Sequence, residues 1–165
     1  MQVSGNTSEM SWDEYFFGMI NQIKSKSKDP STKVGCIIVA PDHSPVSMGF
    51  NGFPRGVRDK ISEVPERYER PKKYLFTVHG ERNAIYAAAK KGWALDGCSL
   101  YIEWYPCADC MQGIIQSGIV EVVVNSASAS YNDPALYERW KDHIEASREM
   151  AQEAGIVLRC VNVPT

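Results

Sequence analysis

The chain has 165 residues, 44% of them hydrophobic and 23% charged, which suits one soluble domain with a real core. Its net charge of −2 and pI of about 5.9 argue against a duplex-binding protein and predict no stable nucleic-acid partner, since such proteins are usually basic. No apolar run is long enough to span a bilayer, and the polar start, Met1 to Ser8, has no signal-peptide core; this predicts a cytoplasmic chain with no membrane partner.

No repeat, low-complexity tract or linker divides the chain, so residues 1–165 read as a single domain whose residues 1–10 form a flexible N-terminus. Ser11 and Glu14 form a capping-box pattern ahead of Trp12, Tyr15, Phe16, Met19, Ile20 and Ile23, an apolar series at helical spacing. Lys24, Lys26 and Lys28 mark a basic C-terminal end, and Asp29–Pro30 stops the helix. Val34 to Ala40 is a short, β-branched apolar run and reads as a buried strand. Pro41–Asp42 turns the chain into Val46 to Phe50, its antiparallel partner. Residues 51–76 read as a long loop broken by glycines and prolines, a length that usually signals function or disorder.

His79 to Lys91 reads as a helix stopped by Gly92, Ser99 to Glu103 as a strand, and Cys107 to Ser117 as a helix stopped by Gly118. Val120 to Val124 is a further strand. Pro134 to Ala154 is a long helix capped by Asp133, and Val157 to Val161 is the last strand. Strands separated by helices of this length require crossover connections. The expected fold is three-layer α/β/α, with a mixed, mostly parallel sheet of about five strands.

The chemistry lies in His79–Gly80–Glu81 and Pro106–Cys107–Ala108–Asp109–Cys110. Cys107 and Cys110 stand at i and i+3 at a helix start, so both sulfurs share one face, and the helix N-terminus favours the thiolate that binds metal. His79 opens the preceding helix, and helix starts gather at one edge of such a sheet. Three ligands of N and S type leave one tetrahedral position open, the pattern of a catalytic zinc. Glu81, two residues beyond His79, can take a proton from water at that position and return it to the substrate. The pattern H-x-E…P-C-x-x-C is the zinc-deaminase signature, and the chain matches each fixed position. A structural zinc module is the alternative, but it would need a fourth ligand. Cys98, His43 and His143 are poor candidates for that role. Cys36, Cys98 and Cys160 read as packing residues, and the odd cysteine count argues against a disulfide framework.

With these residues in view, the chain resembles the cytidine/deoxycytidylate deaminase superfamily, and within it the dCMP deaminases, from about Lys26 to Pro164. The resemblance rests on KDPSTKVG (28–35), GFNGFPRGV (49–57), VHGERNAI (78–85) and the stretch 100–119 with PCADC and IIQSGI. It implies one Zn2+ per chain at His79, Cys107 and Cys110, Glu81 as proton shuttle, and hydrolysis of dCMP to dUMP and ammonia. It further implies Asn51 against the sugar, Gly80 presenting its N–H toward the base, and Tyr105 and Tyr131 beside the nucleotide. Lys26 and Lys28, with the Tyr131 hydroxyl, are candidates for the 5′-phosphate. Family members are often homohexamers activated by dCTP and inhibited by dTTP; the matching effector segment here is Asn51, Gly52, Arg55 and Gly56, with Arg58 beyond it. The chain departs from the family at Gly80, where Ala is usual, and at Asp29, where some viral members place a Cys for a second zinc. Deamination of another cytosine compound, such as dCTP, cytidine or single-stranded nucleic acid, is the competing activity.

Overall fold

The computed structural model describes residues 9–164; the expected flexible N-terminus lies mostly outside them, in residues 1–8. The first helix, α1 (Trp12–Ser25), is capped as the sequence predicts: Ser11 Oγ accepts the Glu14 N–H, and the Glu14 carboxylate accepts the Ser11 N–H. Five strands follow, β1 (Gly35–Val39), β2 (Pro45–Phe50), β3 (Ser99–Ile102), β4 (Glu121–Asn125) and β5 (Val157–Val161), in one sheet of spatial order β2-β1-β3-β4-β5. β1 is antiparallel to both neighbours, whereas β3, β4 and β5 are mutually parallel. The sheet is therefore mixed, and β1 is the one strand that runs against the others.

Side-chain alternation splits the core into two layers. Ile37, Val39, Tyr101 and Val123 pack under α1 against Phe16, Phe17 and Ile20. Cys36, Ile38, Leu100, Ile102, Val122 and Val124 face the opposite way, against helices α3 (Gly80–Lys91), α4 (Ala108–Gln116) and α5 (Pro134–Glu153). The three-layer expectation holds, with α1 the single helix on one face among the described residues. β1 and most of β4 are buried on both sides, which is why they read as unbroken apolar runs. Cys36 and Cys98 pack in this core, but Cys160 is exposed on β5 and is not the packing residue the sequence suggested.

The segment 51–76 is more ordered than a loop. It contains a 3-10 turn, Pro65–Tyr68, and a short helix α2, Lys73–Phe76. The anchor is a buried ion pair: Lys73 Nζ lies 2.7 Å from Asp29 Oδ2, with side chains only 5% and 3% exposed. Lys73 also donates to Ser31 Oγ at 2.7 Å. Phe53 stacks on Tyr68 with ring centres 4.7 Å apart. No helix among the described residues is long and apolar enough to cross a membrane.

Candidate active site

The parallel strands aim the starts of α3 and α4 at the same edge of the sheet. His79 is the N-cap of α3 and Cys107 the N-cap of α4; both have extended backbone, and neither spends its side chain on the cap. Imidazole and thiol are thus left to face each other. His79 Nδ1 lies 3.4 Å from Cys107 Sγ and 3.6 Å from Cys110 Sγ. All three ligand atoms fall within 4.8 Å of one another, and no other His, Cys, Asp or Glu among the described residues joins the group. Around a tetrahedral zinc with N and S bonds of about 2.0–2.1 and 2.3 Å, neighbouring N and S atoms stand about 3.5 Å apart. The donor set and its spacing therefore fit a zinc ion held by three protein ligands, the catalytic pattern.

The electrostatics agree. The hydrogen bond from Cys110 holds Cys107 well below the ordinary thiol range against the burial that would raise it, and His79 adds to the effect. Cys110, the donor, is pushed up by the same bond. Burial would lower the His79 imidazole, but its contacts with Cys107 and Glu81 raise it on balance. Glu81, in the first turn of α3, is 4% exposed, and burial pushes its carboxyl above the usual carboxylate range. A buried carboxyl beside the ligand group, with its pKa raised by burial, is suited to receive and return protons.

A cleft of about 600 Å³, counting its open mouth, descends to this group. His79, Glu81 and Cys107 line its floor, Asn51 and Thr32 one wall, and Tyr105 and Trp104 another. Asn51 is buried; its Oδ1 accepts the Gly80 backbone N–H at 3.0 Å, and its Nδ2 donates to Thr32 O at 3.4 Å. The Gly80 N–H that the resemblance directs to the base is thus donated to Asn51. Gly80 itself abuts Gly49: a Cβ on Gly80 would come 3.3 Å from the Gly49 carbonyl oxygen.

Other expected site residues lie elsewhere. Tyr131 does not line the cleft; its ring sits 5.8 Å from Tyr105 and its hydroxyl 3.7 Å from Cys160 Sγ. Lys26 and Lys28 line a second cavity together with Gly52, Arg55, Gly56 and Arg58, and Lys28 is paired with Asp59 at 2.8 Å. The position that some viral members give to a Cys is filled by Asp29, which is committed to Lys73. Sequence reading missed Leu136, Trp140 and Ile144, which line the cleft from α5. Their i, i+4, i+8 spacing was the available signal. The Trp140 ring stands edge-on to the His79 imidazole at 5.7 Å.

The family model for the cytidine and deoxycytidylate deaminase zinc-binding region matches residues 10–126. The chain is 38% identical to an uncharacterised deaminase in the luxG 3′ region of Aliivibrio fischeri, over 88% of this chain and 90% of that one. It is 34% identical to human deoxycytidylate deaminase, over 91% of this chain and 79% of the human protein. Among solved structures, dCMP deaminase from the cyanophage S-TIM5, in complex with dCMP and dUMP, superposes with a TM-score of 0.68. That match has 23% identity and covers 93% of this chain and 100% of that one, which shows a shared fold. Together with the His79–Cys107–Cys110 group and the buried Glu81, these matches place the chain in the cytidine and deoxycytidylate deaminase family.

Proposed function

We propose that the chain hydrolyses dCMP to dUMP and ammonia, with one zinc ion held by His79, Cys107 and Cys110. The observation that carries the reading is Glu81, buried beside the three ligands at the floor of the cleft. When bound, zinc lowers the pKa of a coordinated water to about 7. Glu81 takes the first proton as water adds to C4 of the cytosine and passes it to N3. It then takes the remaining proton from the new C4 hydroxyl and delivers it to the amino group, so that the C4–N4 bond breaks, the C4 carbonyl forms and ammonia leaves. Burial suits it to this sequence of transfers, because it raises the carboxyl's affinity for the proton it must take up and hand on. Asn51, fixed by Gly80 and Thr32, stands at the level of the sugar, and Tyr105 and Trp140 wall the base. The 34% identity to human deoxycytidylate deaminase favours the monophosphate over other cytosine compounds. An assay of ammonia release across dCMP, dCTP, deoxycytidine and a short oligonucleotide tests the reading. Preference for dCMP supports it, and preference for any of the others replaces it.

The second cavity supports a regulatory reading of the same enzyme. It encloses about 1180 Å³, counting open solvent, and Arg55 and Arg58 line it without a carboxylate partner within 4.0 Å among the described residues. Two guanidinium forks suit a triphosphate. The reading is that dCTP activates and dTTP inhibits by binding there. Asn51 does not line that cavity, and its N–H donates to Val34 O, but Gly52, its neighbour, lines the cavity and pairs with Val78 just before His79.

A further inference from the structure

We infer that Arg70 and Arg139 form the 5′-phosphate subsite of the catalytic cleft, one from the segment before α2 and the other from α5. The inference rests on the proposal that the substrate is a nucleoside monophosphate. Its starting point is where the expected phosphate ligands lie: Lys26 and Lys28 line the second cavity, and Lys28 is committed to Asp59. The catalytic cleft itself has no lysine or arginine in its lining.

Two recesses continue outward from the cleft. The first shares Thr32, Asn51, His79 and Trp140 with it, and the second shares Thr32, Ser130 and Leu136. Arg70 and Arg139 line both recesses. The sugar of a nucleotide lies between its base and its 5′-phosphate. With the base at the floor and the sugar at Asn51, the phosphate emerges on this side.

The two guanidinium groups are chemically unspent. Neither has a carboxylate within 4.0 Å among the described residues. Arg70 uses only its Nε, which donates to the Tyr74 hydroxyl at 2.9 Å, so both terminal nitrogens remain for a ligand. That bond also fixes the direction of the fork. Arg139 stands next to Trp140, so the same turn of α5 supplies a cleft wall and a cation. The one carboxylate in the outer recess, Asp133, is occupied by the Ala135 and Leu136 N–H groups as the helix cap. Arginine presents paired N–H donors that match phosphate oxygens, and such charge-assisted bonds are the strong ones. Because the two residues come from different segments, a bound phosphate would also clamp α2's segment to α5 across the mouth of the cleft.

The test is steady-state kinetics of the zinc-loaded enzyme and of Arg70→Gln, Arg139→Gln and the double variant, with calorimetric binding of dUMP and of deoxyuridine to each. The expected result is a KM for dCMP raised about 10- to 100-fold by the double variant, with kcat within about threefold of the parent. Binding of dUMP should weaken by a similar factor, and binding of deoxyuridine should not change. An unchanged KM and unchanged dUMP affinity in the double variant would overturn the inference, as would an equal loss of deoxyuridine binding. If the parent fails to deaminate dCMP, the proposed function falls instead. The dUMP and deoxyuridine comparison still decides the anion site in that case.

Discussion

Asn51 Oδ1 accepts the backbone N–H of Gly80 at 3.0 Å, which ties the end of β2 to the first turn of the helix that carries Glu81. The same turn is pressed against β2 on its other side, where Gly49 meets Gly80. A Cβ on Gly49 would lie 2.1 Å from the Gly80 carbonyl oxygen and 2.5 Å from the Ala84 nitrogen. Both neighbours are backbone, so neither can rotate away. Gly49→Ala should therefore push α3 off the sheet and cost about 3 kcal/mol or more in chemical denaturation, with loss of activity. Gly80→Ala faces a milder 3.3 Å contact and gains helix propensity, so its stability should stay within about 1 kcal/mol of the parent. Equal effects of the two substitutions would contradict this packing.

The Asp29–Lys73 pair is expected to hold the segment 51–76 in place. Removing one partner leaves the other charge buried, which typically costs 3–5 kcal/mol, on the order of half the stability of a small domain. Asp29→Asn and Lys73→Met should each destabilise by about that amount, and the double variant should recover part of the loss. A double-mutant cycle by urea denaturation measures the coupling; strict additivity would show the pair to be inert.

The same pair predicts an acid-sensitive contribution. Burial would raise the Asp29 carboxyl, but the Lys73 ammonium and the Ser31 and Thr32 N–H groups together hold it below its ordinary 3.8. A depressed folded pKa means that the stabilisation is complete above the unfolded value and is lost as pH falls through the folded one. Parent stability should thus drop below about pH 4, and Asp29→Asn should show a flatter profile there. Parallel acid limbs for parent and variant would remove Asp29 from the account.

Zinc content should follow the ligands. Cys110→Ala should bind metal much more weakly than the parent in elemental analysis, and full occupancy would be incompatible with the assigned site. Chelation should abolish activity while leaving most of the fold, because the two-layer core holds the sheet without the metal. Near-complete loss of helical circular dichroism on chelation would make the ion structural.

Regulation can be read from saturation curves. dCMP saturation should shift to lower concentration with dCTP and to higher concentration with dTTP, by a coupling of about 1–3 kcal/mol. Arg55→Ala should blunt both shifts. Hyperbolic curves indifferent to either triphosphate would leave the second cavity without this role.

Local signals were enough for much of the fold. The Ser11–Glu14 capping box, the Asp133 cap and Gly92 with its left-handed φ of 70° all mark helix ends in the sequence and in the structure. His79, Cys107 and Cys110 converge as their positions at two helix starts require. What remained hidden depends on distant partners. α2 is four residues long and has no periodic pattern; it is anchored by Lys73 reaching Asp29, 44 positions away. Trp140 reads as one face of an amphipathic helix until α5 is laid over the cleft. Lys26 and Lys28 look like phosphate ligands in sequence because they precede the nucleotide segment. In space they line the second cavity rather than the catalytic cleft.

The most direct test of the central claim is Glu81→Gln, purified with zinc, assayed on dCMP and analysed for metal in the same preparation. The substitution keeps the size of the side chain and removes its ability to carry protons. The expected result is parent-like zinc content with turnover reduced about 10²- to 10⁴-fold. Near-normal turnover with zinc in place would contradict the assignment of Glu81, and with it the deaminase mechanism proposed for this site.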